Sequence, residues 1–256
     1  MGTQFCLELA FGVWLALAFV PKAPVGTLFY RIMATTALLP LLLAAIAPPL
    51  WGGAPWSDAG VWTAALAALA YPAVSGPLRG SRWGMALAWA LVWTGAALVI
   101  AVQRGSSPGD VRVLALCALS AMATGSVAGS VGMAMVLGHW YLTIPTLHVK
   151  HLRRLNTVTI ACMLACIALL ALTCSAFADR LSEGDRPLLG PTGLFYLGTR
   201  VTAGLFLPLV FAWMTAGSLK FGNTRSATGI LYASTILVLI GTAVSISLQD
   251  SYGVPL

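Results

Sequence analysis

The chain alternates between long apolar runs and short polar breaks. The runs cover approximately Gln4–Val20, Thr27–Ala47, Ala59–Ser75, Arg82–Val102, Arg112–Leu142, Leu155–Ala178, Leu194–Ala216 and Ala227–Leu248. Strands of a membrane barrel alternate apolar and polar side chains over about 10 positions, and these Ala/Leu/Val runs do not. Each is instead near the roughly 20 residues that a helix needs to cross a hydrocarbon core about 30 Å thick. A helix also satisfies its own backbone hydrogen bonds in lipid. The expected fold is therefore all-α, a polytopic integral membrane protein built as a bundle of about eight transmembrane helices with short loops.

The breaks are Pro21-Lys22-Ala23-Pro24, Pro48-Pro49 through Pro55, Gly76-Pro77, Gly105-Ser106-Ser107-Pro108-Gly109 and the charged stretch Asp179–Arg186 ahead of Pro187. Pro and Gly end helices where water takes over the backbone groups. The longest connection, after Ala178, is about fifteen residues, so residues 1–256 read as a single transmembrane domain without an internal repeat. The first run has Glu8 near its start and no basic stretch before it, and reads as a retained helix rather than a signal peptide.

The fifth run is the longest, about thirty residues from Val113 to Leu142, or about 45 Å of helix. Its middle, Gly125-Ser126-Val127-Ala128-Gly129-Ser130-Val131-Gly132, repeats small residues at i, i+4. Such a stripe lets another helix approach closely; the alternative is a helix break lining a cavity. Pro40, Pro72 and Pro208 fall inside runs and are expected to kink them.

Composition excludes a water-soluble fold. Hydrophobic residues are 59% of the 256 and charged residues 8%, against about 25% charged in soluble domains; mean hydropathy is +0.90. The five cysteines, Cys6, Cys117, Cys162, Cys166 and Cys174, all lie in apolar runs without C-x-x-C spacing. They read as small buried hydrophobes, although Cys162 and Cys166 share a helix face.

Charge gives an orientation. Under eight spans, Lys22, Arg31, Arg79, Arg82, Lys150, Arg153, Arg154, Lys220 and Arg225 fall on one side. The other side holds Arg104, Arg112, Arg180, Arg186 and Arg200, diluted by Asp58, Asp110, Asp179, Glu183, Asp185 and Asp250. Lys and Arg are retained in cytoplasmic loops, so the expectation is an inner (plasma) membrane location with both termini on the non-cytoplasmic side. The net charge of +7 then reads as topology plus attraction to anionic headgroups, with the lipid bilayer and not nucleic acid as partner.

Candidate chemistry gathers in two places. All three histidines lie between Gly138 and Arg154. His139, beside Trp140 and Tyr141, ends the fifth run, while His148 and His151 are expected on a short interfacial helix. A metal site there lacks any nearby carboxylate or thiolate. A bis-histidine haem needs two embedded histidines, and only His139 qualifies. A quinone headgroup suits the place better, since His139 or Tyr141 can hydrogen-bond a carbonyl and exchange a proton, with Arg31 facing them across an inner-side pocket. The competing reading is an aromatic belt with positive anchors. The second place is Glu8 in the first run with Arg200 in the seventh, both toward the outer side. Charges in lipid are paired or functional, so these two are expected to form either a structural pair or a cavity in which Glu8 relays protons.

The chain holds no H-E-x-x-H, G-x-S-x-G or Walker motif, and no lysine within a run for a retinal Schiff base. No catalytic residue or metal ligand is assigned. In helix count, helix length and placement of termini the chain resembles the eight-helix quinol-binding subunits of the polysulfide-reductase type. That resemblance implies two packed helical bundles and a quinol site, and transfers no residue. The leading expectation is a membrane subunit of a larger electron-transfer or respiratory complex. It would bind a quinone or quinol near His139, Tyr141 and Arg31, or near Glu8 and Arg200, and depend on other membrane or peripheral subunits. The alternatives are a small transporter with a path through the bundle, and a non-catalytic scaffold whose buried polar groups are all satisfied internally.

Overall fold

Helices account for every element, and no strand occurs among the described residues. The structure, a computed structural model, describes residues 1–20, 25–50, 58–105, 110–144, 147–182 and 187–256. The expected breaks at 21–24 and 106–109, and parts of those at 48–55 and 179–186, lie outside the described residues. In chain order the elements are α1 (Gly2–Leu17), α2 (Thr27–Leu50), α3 (Asp58–Ala68), α4 (Tyr71–Ser75), α5 (Gly80–Gly105) and α6 (Val111–Thr143). They continue with α7 (Lys150–Ala176), α8 (Ala178–Ser182), α9 (Pro191–Thr199), a π-helical segment (Arg200–Phe206), α10 (Leu207–Lys220) and α11 (Thr224–Tyr252).

Six of the described stretches are long and apolar enough to cross a membrane, where the sequence predicts about eight: Thr27–Ile46, Gly80–Gln103, Val111–Thr143, Lys150–Ala176, Pro191–Lys220 and Thr224–Tyr252. The first and third runs fall short for identifiable reasons. α1 has 16 residues, about 24 Å at 1.5 Å per residue. Ahead of Pro21 its end tightens into i→i+3 bonds, with Ala18, Phe19 and Val20 N–H donating to the carbonyls of Leu15, Ala16 and Leu17 at 3.1, 3.1 and 3.2 Å. The third run divides at Leu69–Ala70 into α3 and α4 because Pro72 cannot donate within a helix.

The fifth run is one unbroken helix. Asp110 caps α6, its Oδ1 accepting from the N–H groups of Arg112 at 2.9 Å and Val113 at 3.4 Å, so two orphan donors of the first turn are met. Its 33 residues span about 50 Å, and it packs against α1, α5, α7 and α11. The small-residue stripe forms the seam with α1. A Cβ on Gly12 would collide with the Gly125 carbonyl, and one on Gly125 or Gly129 with the α1 backbone at Glu8 or Gly12. Close helix packing is therefore what the stripe serves, not a break. A second backbone crossing joins Gly204 of the π segment to Gly241 of α11.

Large side chains cover the outside. Trp213 is 79% exposed and Val92 66%, a surface suited to lipid rather than water. The interior holds Trp14, Phe29, Tyr30, Leu98 and Leu137.

The two ends of the bundle are chemically distinct. The Met1 ammonium lies 3.6 Å from Asp250, which puts both termini at one end. At the opposite end Phe29 stacks edge-on against Trp140 (5.7 Å), Tyr30 against Trp83 (5.6 Å), Arg154 lies over Phe19 (5.6 Å) and Arg153 donates to the Leu219 carbonyl. Arg79, Arg82, Lys150 and Lys220 sit beside these contacts in sequence, so this end carries a group of basic residues, while Arg200 lies toward the other.

Candidate functional site

α1 carries Gln4 and Glu8 one turn apart, on the face turned into the bundle. Both are buried, at 5% and 1% exposure. Gln4 Nε2 donates to Glu8 Oε1 at 2.9 Å and to Gln249 Oε1 of α11 at 3.1 Å. Across the same interior Arg200, 3% exposed, donates from Nη2 to Thr124 Oγ1 of α6 at 3.0 Å and from Nη1 to the Gly241 carbonyl of α11 at 3.4 Å. Cys166 Sγ of α7 lies 4.0 Å from Thr124 Oγ1. One acid, one base, two amides, a hydroxyl and a thiol thus meet where α1, α6, α7, α11 and the π segment converge.

Local sequence explains how Arg200 gets there. Pro208 has no N–H for the Gly204 carbonyl, and a regular helix would press its ring against that carbonyl. The chain widens instead, Leu207 N–H donating to Thr202 O in an i→i+5 bond. Segments of this kind recur at functional sites. The Gly204–Gly241 crossing brings α11 close enough for Arg200 to reach the Gly241 carbonyl.

The cluster is incomplete within the protein. Among the described residues Glu8 Oε2, Arg200 Nε and Gln249 Nε2 are buried without a hydrogen-bond partner. Nor do Glu8 and Arg200 form the expected ion pair within 4.0 Å; both are buried, each with other hydrogen-bond partners. An acceptor and two donors therefore lack partners in a low-dielectric interior, at a cost of about 1–3 kcal/mol each. At the same end a cavity of about 350 Å³ is lined by Met1, Gly193, Tyr196, Ser247, Ser251 and Tyr252 among others.

The basic end looks different. Tyr141 Oη donates to the His148 carbonyl at 2.5 Å, committing the phenol to the turn between α6 and α7. His139 and Arg31 are exposed, and no hydrogen bond joins either to Tyr141 or to the other among the described residues. The expected interfacial helix is absent as a separate element: α7 starts at Lys150, with His151 buried in its first turn and His148 exposed just before it. Among the described residues no three His, Cys, Asp or Glu side chains converge as metal ligands would. A cavity of about 230 Å³ here is lined by Tyr141, Leu142, Leu147, Val149, Gly222, Thr224 and Arg225.

Sequence reasoning found Glu8 and Arg200 but missed Gln4, Gln249, Thr124 and the placement of Cys166. Gln4 had a signal, its i, i+4 spacing from Glu8. The other three look like ordinary span or span-end residues until the helices are packed. No family model, no curated protein and no solved structure matches this chain. The resemblance to polysulfide-reductase-type subunits accordingly stays one of predicted helix count and length.

Proposed function

We propose that the chain is an integral membrane subunit of an electron-transfer complex, and that the Glu8–Arg200 cluster receives the headgroup of a quinone or quinol. The observation that supports this most is the set of unmet groups: Arg200 Nε and Gln249 Nε2 as donors beside Glu8 Oε2 as acceptor. A quinone carbonyl accepts from the first two, and a quinol hydroxyl donates a hydrogen bond to the third, the group that exchanges the proton. The redox partner would be another subunit, the long described helices being of membrane-crossing length and apolarity. The basic end would face the cytoplasm and both termini the opposite side of the inner (plasma) membrane. Of the two expected quinone locations the outer one is favoured, because at the inner one the Tyr141 phenol is already engaged and Arg31 and His139 point outward.

The test is binding. Purified protein is extracted with organic solvent for native quinone and titrated with a short-chain quinone analogue. Stoichiometric binding, weakened in Glu8→Gln and Arg200→Met but kept in His139→Ala plus Arg31→Ala, supports the outer site. Absence of both native quinone and analogue binding rejects the proposal. A second reading, a small transporter, draws on the π segment next to buried charges, since interrupted helices line substrate sites in transporters; solute-dependent flux in proteoliposomes would favour it. The scaffold reading requires buried polar groups satisfied within the bundle, and the unmet groups at Glu8, Arg200 and Gln249 weigh against it.

A further inference from the structure

Toward the basic end of the bundle two further buried polar side chains each carry an atom without a partner among the described residues. Asn156 of α7 is 2% exposed and Thr215 of α10 is fully buried. Asn156 Nδ2 donates to the Ala212 carbonyl at 2.9 Å, and one turn nearer the end Arg153 Nη2 donates to the Leu219 carbonyl at 3.2 Å. These two bonds fix α7 and α10 as antiparallel neighbours. Thr215 lies between Ala212 and Leu219 on the same α10 face, opposite Asn156. Yet Asn156 Oδ1 and Thr215 Oγ1 have no hydrogen-bond partner among the described residues. An amide oxygen and a hydroxyl left unmet on neighbouring helices suit a bound water, since buried waters hold about two to four polar partners.

Between this pair and the Glu8–Arg200 cluster stands an apolar layer. Val131, Met163, Leu205 and Val238 belong to a hydrophobic cluster separate from the main core, and all are buried. Along α7, Cys166 of the outer cluster is ten residues from Asn156, about 15 Å. The order across the second half of the bundle is therefore a polar group, an apolar layer and a second polar group. Apolar constrictions of this kind gate by excluding water.

We propose that Asn156 and Thr215 hold water as the inner station of a proton path to Glu8, closed at rest by the layer of Val131, Met163, Leu205 and Val238. A proton arriving as hydronium at the Arg153 end passes through the held water and ends on the Glu8 carboxylate, which becomes a neutral acid. No electron moves in this step. The inference rests on reading Glu8 as a proton-exchanging group and supplies the route by which its proton arrives.

Two measurements decide it. In bilayers, water-edited solid-state NMR of the wild-type protein should show magnetisation transfer from water to the Asn156 side-chain amide; a silent amide overturns the proposal. In proteoliposomes with a trapped pH dye and an imposed potential, Leu205→Ser should wet the layer and raise proton flux about tenfold or more. Adding Asn156→Leu should return the flux to the wild-type level. No gain in Leu205→Ser, or a gain that survives Asn156→Leu, overturns the proposal equally. Val131→Ser replaces Leu205→Ser if the latter does not yield a monodisperse protein. Neither readout involves a quinone, so failure here is distinguishable from failure of the quinone reading.

Discussion

Removing the charge from Arg200 should destabilise the bundle strongly, and removing it from Glu8 as well should restore part of the loss. Arg200→Met deletes two hydrogen bonds, to Thr124 Oγ1 and the Gly241 carbonyl. Interhelical side-chain bonds in membranes average about 0.6 kcal/mol with a maximum near 1.7, so together they account for about 1–3 kcal/mol. It also removes the attraction that the guanidinium exerts, without contact, on the buried Glu8 side chain. Glu8→Gln retains an acceptor for Gln4 Nε2 while removing the charge, and is the milder change. Glu8 and Arg200 are farther apart than 4.0 Å, so their coupling lies below the roughly 4 kcal/mol that an effective dielectric near 20 allows at 4 Å. A double-mutant cycle in mixed micelles, unfolding each protein with SDS, should give a coupling of about 1–3 kcal/mol by that bound. Additivity of the two substitutions within about 0.5 kcal/mol would refute the claim that the two charges sense each other.

The seam between α1 and α6 is sensitive to single atoms: Gly12→Val should lower unfolding stability by about 1–3 kcal/mol through overpacking. Gly132→Ala, where nothing lies within 4 Å of the added carbon, should leave the same SDS unfolding midpoint unchanged. Tyr141→Phe removes the bond to the His148 carbonyl and should cost about 1 kcal/mol in that assay, without altering quinone-analogue affinity. Because both termini lie at one end of the bundle, tags on the two ends should show the same sidedness in protease-protection of oriented vesicles. Opposite protection would mean an odd number of crossings and contradict this arrangement.

Length, apolarity and the spacing of Pro and Gly determined by themselves that this chain is a helical membrane protein, because a backbone in hydrocarbon has few ways to satisfy its hydrogen bonds. Clustering of Lys and Arg also foretold which helix ends gather together. The stripe from Gly125 to Gly132 was legible as a close-packing surface because small residues at i, i+4 repeat on one helix face. Hydropathy averages over a window, and so it hid the tightened end of α1 and the division between α3 and α4. Both features turn on which individual backbone donors find acceptors. Tertiary structure alone decided that Gln4, Glu8, Thr124, Cys166, Arg200 and Gln249 form one cluster and that Asn156 and Thr215 lie opposite each other. These residues come from segments up to 245 positions apart, and nothing local in a polar residue within an apolar run specifies which other helix it will face. Packing of Gly12 on Gly125 and of Gly204 on Gly241 sets those distances, and with them which polar groups are satisfied and which are left for a ligand or a proton.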